Sequence, residues 1–167
     1  ANLQRRGDLD RTVLALTADH GEEFHDHGGA FHGVSLHREV MEVPLLLAGP
    51  GVPHRRIEQP LSLVDLAPTL LDLLGVPAPP SMLGRSFAPA VRGEPFEAPA
   101  AFGWADRHGR RLRAVVAGRY KLIHEERYDT WQLYDLSRDP AETVNLADRR
   151  RDVLRRIEAL LLDAGAI

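Results

Sequence analysis

The chain has 167 residues, 44% hydrophobic and 27% charged, the composition of one globular domain or one and a half. Its net charge of −3 with neutral histidines argues against a nucleic-acid or anionic-membrane partner, and no apolar run approaches the ~20 residues of a membrane span. It contains no cysteine, which removes disulfides, thiolate metal sites and a cysteine nucleophile from these residues.

The opening Ala1-Asn2-Leu3-Gln4-Arg5-Arg6-Gly7 reads as the tail of a helix stopped by glycine, so an upstream segment is expected. Residues 12–17 form a short apolar run, too short for a helix, and predict an interior strand. Residues 18–33 are polar and glycine-rich and predict a loop. A second interior strand is expected over 43–48, with Pro44 at its start, where a missing N–H is tolerated. A helix follows over 61–75. Ser62 is placed to cap it, Gly75 to stop it, and Pro68 to lie in its first turn behind a lead-in turn. Leu63, Leu66, Leu70, Leu73 and Leu74 would give that helix one apolar face. Residues 77–80 are a proline-rich connector, and composition shifts to Gly, Pro, Glu and Ala between 92 and 99.

Beyond that shift, four β-like runs are expected at 100–104, 111–116, 119–124 and 131–136, with a hairpin turn at Ala117-Gly118. Their short spacing favours antiparallel pairing. Residues 148–165 predict a closing amphipathic helix whose apolar face is Val153, Leu154, Ile157, Leu160 and Leu161. The expectation is an α/β protein with a boundary at 95/96, residues 1–95 forming a core segment and 96–167 a C-terminal α+β subdomain.

Five of the eight histidines lie between His20 and His37, just after the first expected strand. Ligands in open α/β sheets gather beyond the carboxyl ends of strands, which makes this junction the candidate site. Asp19 and His20 offer an oxygen and a nitrogen donor to a divalent cation such as Zn, Mn, Mg or Ca. Two ligands complete no shell, and the alternative is a turn cap beside a polar loop residue. His32 is spaced so that the loop folds back over the same place. A second imidazole there could hold the oxyanion of a tetrahedral substrate or protonate its leaving group. His25 and His27 form an H-x-H pair, discounted as a metal site because it lies six to eight residues past the strand. Glu22 and Glu23 either tune the site or are solvated loop. His54, His108 and His124 are isolated and receive no role.

The run Leu16-Thr17-Ala18-Asp19-His20-Gly21-Glu22 resembles the late metal-binding strand of the sulfatase family, within the alkaline phosphatase superfamily. Further segments resemble that family in the same order: residues 39–45, the helix over 63–75, Gly118-Arg119-Tyr120-Lys121-Leu122-Ile123, and the run from Leu133-Tyr134-Asp135-Leu136 to Asn145-Leu146. The resemblance implies a partial alkaline-phosphatase-like α/β core followed by a small antiparallel sheet with a terminal helix. It implies that Asp19 and His20 bind one divalent metal ion, with Ca foremost and Mg, Mn or Zn as alternatives. His32 falls where many sulfatases place a lysine that contacts the sulfate, and His27 is its rival for that role. The L-Y-D-L to N-L segment is expected to be architecture, with Asp139-Pro140 making a turn and Glu142 and Asn145 tying off backbone groups.

The family's nucleophile, a formylglycine made from cysteine in a C-x-P-S-R-type segment, is absent from these residues. The resemblance therefore implies the C-terminal third of a sulfate-ester hydrolase, inactive alone, whose partners are an anionic ester substrate and an N-terminal portion of the same protein. The alternatives are a phosphodiesterase, phosphonate monoester hydrolase or phosphoryl transferase of the superfamily, and a non-catalytic domain that binds a metal or a partner.

Overall fold

The computed structural model describes residues 2–164. In chain order the elements are α1 (Asn2–Arg6), β1 (Leu14–Thr17), β2 (Glu23–Phe24), β3 (Ala30–Phe31), α2 (Arg38–Met41), β4 (Leu45–Ala48), α3 (Leu66–Leu73), α4 (Ala88–Arg92), β5 (Ala101–Arg107), β6 (Arg110–Ala117), β7 (Tyr120–Glu125), β8 (Thr130–Asp135) and α5 (Arg151–Ala164). Short 3₁₀ turns precede β1 and α3. The elements fall into two compact units, Ala1–Asp19 with Pro44–Ala98, and His20–Val43 with Pro99–Ile167. The histidine-rich segment thus groups with the C-terminal residues, and Asp19 and His20, adjacent in sequence, close one unit's first stretch and open the other's.

In the first unit, α1 ends at Gly7, whose φ of +70° is the left-handed stop that a glycine accepts without cost. β1 and β4 pair antiparallel, Leu14 opposite Ala48 and Thr17 opposite Leu45. The expected interior strands are not interior here. Leu16 is 63% exposed and Leu46 61%. The reason is that each strand's only ladder partner among the described residues is the other, which leaves this ribbon uncovered.

The helix expected over 61–75 forms as a 3₁₀ lead-in at Leu63–Asp65 followed by α3, with Pro68 in its first turn and Gly75 at φ +69° beyond its end. Ser62 makes no side-chain cap bond. Of the expected leucine stripe, Leu66, Leu70 and Leu73 are half-buried while Leu63 and Leu74 are exposed, and the fully buried positions are Asp65, Pro68 and Thr69. Polar bonds to the following strap add to this partial leucine face. Asp65 Oδ1 accepts the Arg85 N–H at 2.7 Å, and the Thr69 hydroxyl donates to the Asp65 carbonyl at 2.6 Å while accepting the Phe87 N–H at 2.9 Å. Asp72 receives Ser86 Oγ at 2.7 Å and the Arg92 guanidinium at 2.6 Å. Those bonds seat Phe87, Ala88 and Val91 as the apolar centre of this region.

The second unit is built on the antiparallel sheet β5-β6-β7-β8. The four predicted runs each form a strand, and the Ala117-Gly118 turn joins β6 to β7 with Gly118 at φ +57°. One face carries Val115, Leu122 and Leu133 and is covered by Val153, Ile157 and Leu161 of α5. These three helix residues recur every fourth position, so they fall on one side of the helix. Each fully buried aliphatic stabilises by ~1.5–3 kcal/mol. Leu160, expected on the same face, is 37% exposed. The expected helix stop at Gly165 lies outside the described residues. The opposite sheet face carries Leu112, Ala114, Ile123 and Tyr134, and is covered by Leu36, with Met41 packed at its edge. The chain just after the histidine-rich loop is therefore part of the core, and this anchors the loop. No helix among the described residues is long and apolar enough to cross a membrane.

Candidate functional site

The loop expected over 18–33 carries a small hairpin. β2 and β3 pair with Glu23 opposite Phe31 and Phe24 opposite Ala30, and the turn between them uses left-handed backbone at His25 and Gly28. Its organiser is Glu23, expected to be loop or site tuning and in fact 1% exposed. Oε1 accepts the N–H groups of His27 at 3.0 Å and Gly29 at 2.8 Å, and Oε2 accepts the Ser35 hydroxyl. Burial pushes the pKa of this carboxyl up, but the bond from Ser35 and the two N–H bonds outweigh it and hold the group below the usual glutamate range.

Four of the five imidazoles separate into two environments, and the fifth, His25, lies exposed in the hairpin turn. His20 and His32 are both exposed, with ring centroids 4.0 Å apart and planes inclined by 32°. His20 Nδ1 lies 2.8 Å from the Gly21 carbonyl. His32 Nδ1 lies 3.3 Å from Glu22 Oε2, and the His32 carbonyl accepts Arg107 Nη1 at 2.6 Å. Glycine at position 21 is a packing requirement. Its N–H donates to the Val40 carbonyl at 2.8 Å, and a Cβ there would overlap the carbonyl oxygen of Glu39. The D-H-G glycine thus lets the backbone after His20 pass directly against α2. Asp19 is exposed at the end of the segment that follows β1. Among the described residues, no group of three or more His, Asp or Glu side chains is arranged to hold a metal ion. The oxygen and nitrogen donors of Asp19 and His20 suit a divalent cation as part of a shell, with the remaining donors still to be supplied.

His37 is buried and His27 is half-buried beside it. Their rings stack at 3.8 Å with planes 5° apart. His27 Nε2 faces the carbonyls of Ala141 at 3.0 Å and Glu142 at 3.2 Å, and its Nδ1 lies 3.2 Å from Glu39 Oε2. His37 Nδ1 donates to Glu142 Oε2 at 3.0 Å, and its ring meets Tyr134 edge-on at 5.7 Å. Glu142 is 1% exposed, and its Oε1 receives Lys121 Nζ at 2.8 Å, itself 2% exposed. Burial alone would raise Glu142, but the His37 bond and the Lys121 charge hold it below the usual range. Burial lowers Lys121 by more than Glu142 raises it. Tyr134 is pushed up to about 12 by burial and by the Glu142 and Asp139 carboxylates.

Sequence reasoning missed His37 and Lys121. The available signal was a lysine inside the apolar run Tyr120-Lys121-Leu122-Ile123, where both sheet faces turn out to be buried. Glu142 does more than tie off backbone: besides the Arg38 N–H at 3.3 Å it holds two cationic-type side chains. Asn145 behaves as expected, accepting the N–H of Leu133 at 3.0 Å and Ala147 at 2.9 Å and donating to the Trp131 carbonyl at 3.1 Å. Asp139 likewise closes its turn onto the N–H groups of Thr143 and Val144. His124 stacks on Trp131 at 3.8 Å and bonds Asp129, a structural role.

The family model described as N-sulphoglucosamine sulphohydrolase, C-terminal, matches residues 26–163. The chain belongs to the sulfatase family. It is 33% identical to an arylsulfatase K from Danio rerio over 96% of this chain and 32% of that protein. A solved 2-O GAG sulfatase superposes with a TM-score of 0.83 at 31% identity, over 93% of this chain and 36% of that one. A phosphonate monoester hydrolase of Agrobacterium radiobacter superposes with a TM-score of 0.81 at 28% identity, over 98% of this chain and 37% of that one. The chain therefore spans about a third of the length of the relatives it matches. These neighbours agree with the mixed α/β architecture expected from sequence, and the sulfatase family is metal-dependent.

Proposed function

We propose that these residues form the C-terminal part of a metal-dependent sulfatase that hydrolyses sulfate monoesters. The observation that carries this reading is the contact of the exposed His20 and His32 rings, with half-buried Glu22 against His32, in the segment that resembles the family's metal strand. Asp19 and His20 would supply two ligands to one divalent ion, Ca by resemblance, with Mg, Mn or Zn as alternatives. When bound, that ion would withdraw charge from the sulfate oxygens. His32 would contact the sulfate or give a proton to the leaving oxygen. Glu22 lies against Nδ1, so Nε2 is the nitrogen that would meet the ester. His27, stacked inside the loop with both nitrogens facing oxygen acceptors, supports His32 as the substrate contact and itself as scaffold. The nucleophile, a formylglycine by resemblance, would lie outside these residues, since the chain holds no cysteine; the chain alone is then expected to be inactive.

Two substitutions in the native protein test the assignment. Asp19→Ala should abolish metal-dependent turnover of an aryl sulfate and lower bound metal. Survival of both would remove Asp19 from the ligand set. His32→Ala should lower turnover while leaving metal content near wild type; the reverse result would make it a ligand. The likeness to a phosphonate monoester hydrolase supports a second reading in which the same pocket takes phosphonate monoesters. Comparing kcat/KM for an aryl sulfate and an aryl phosphonate decides between them. Turnover of neither would favour a non-catalytic binding domain.

A further inference from the structure

The loop that carries His32 is held at both ends by the C-terminal motif, Glu142 reaching each end and Ala141 sharing the first. The Glu142 carboxylate takes His37 Nδ1 at 3.0 Å and the Arg38 N–H at 3.3 Å, just after the loop. The backbone carbonyls of Ala141 and Glu142 take His27 Nε2 at 3.0 and 3.2 Å, just before it. The stacked rings of His27 and His37 close the ends onto each other. His32 lies at the midpoint, five residues from either anchor. Lys121 completes the arrangement from β7, so the carboxylate is tied to the sheet rather than to the loop alone. Glu142 has φ +55°, a conformation uncommon for a residue with a side chain, and such strain persists only where surrounding contacts over-determine it. A residue needed only to end a turn would not require that backbone, a buried ion pair and two imidazoles together.

We propose that Glu142 is a positioning residue for the active site: it fixes both ends of the 27–37 loop and so sets where the His32 imidazole stands against the ester. The inference rests on the reading of His32 as the substrate contact. A carboxylate is suited to the task because it accepts from two directions at once, and its charge is matched by Lys121. The amide of glutamine has the same shape but offers one acceptor oxygen in place of two. Glu142→Gln therefore releases either Lys121 or the His37 end of the loop without emptying the volume.

The test is a double-mutant cycle in the native protein with an aryl sulfate as probe. Glu142→Gln should lower kcat by about tenfold, the scale expected for a sub-ångström displacement of a reacting group, and change KM by less than about twofold. In the His32→Ala background the same change should cost less than about twofold, because two residues acting through one group are not additive. Equal loss in both backgrounds, following the loss of folded protein, would overturn the proposal and leave Glu142 a purely structural residue. A His32→Ala variant with wild-type turnover would overturn the underlying functional reading as well, so the two failures are distinguishable. Should Glu142→Gln fail to fold, His37→Phe carries the same test. It keeps a flat ring against His27 and leaves the Lys121 pair in place, and the same non-additivity with His32→Ala is expected; additive loss would again overturn the proposal.

Discussion

His20 and His32 lie exposed on the second unit with their rings in contact, whereas His27 and His37, a few residues away, pack against Glu142, Glu39 and Tyr134. Both pairs are ring contacts between histidines, at 4.0 and 3.8 Å. Their surroundings make them different chemistry. An exposed imidazole can be reached by a ligand from solvent. An interior imidazole bonded to a carboxylate is part of the framework, and removing either partner strands a polar group in low dielectric. Histidine density in a sequence therefore marks a region, while burial assigns the labour within it.

Four experiments would break or sharpen this contrast. The largest effect is expected at the interior end. Lys121→Ala leaves the Glu142 carboxylate buried beside one fewer cation and should destabilise by ~3–5 kcal/mol, read from urea unfolding; a loss under about 1 kcal/mol would show that the pair behaves as though exposed. Glu23→Ala follows. It leaves the His27 and Gly29 N–H groups and the Ser35 hydroxyl without their acceptor, a cost of ~2–4 kcal/mol, and amide exchange at Gly29 should accelerate with it.

The third is a pH dependence. Glu23 has its folded value below the ordinary 4.5, so its contribution is complete above that pH and is lost as pH falls through the lower folded value. Glu23→Gln should therefore flatten the acid limb of the stability curve below 4.5 and leave its slope at neutral pH unchanged. A slope change near neutrality would contradict the assignment. The smallest effect belongs to the exposed end: His32→Ala should alter stability by no more than ~0.5 kcal/mol. A larger loss of Tm would place His32 among the scaffold residues and weaken its reading as substrate contact.

Much of the fold was legible where one physical rule acted alone. The strands β5 to β8 follow from β-leaning runs separated by turn residues, and their spacing dictates antiparallel pairing. The α5 face follows from four-residue spacing, with Val153, Ile157 and Leu161 buried as expected. The reading faltered where burial depends on what lies opposite. The leucines of α3 have the right period, yet the helix is held through Asp65, Thr69 and Asp72. Periodicity reports which residues share a face but not which face meets a partner. β1 and β4 are apolar enough for an interior, but Leu16 and Leu46 stand exposed on their two-stranded ribbon.

By itself, the sequence determined the class of the protein and the order of its strands and helices, and it singled out the short segment proposed to carry its chemistry. These rest on local rules: spacing, turn residues, and motifs whose members are near neighbours in the chain. Only the tertiary structure decided that Glu142 reaches back more than a hundred residues to His37, that Lys121 is interior, and that Gly21 is required by a backbone passing beside it. Each is a contact between distant parts of the chain. The free energy of a buried charge depends on where its partner lies in space, and no local spacing records that distance.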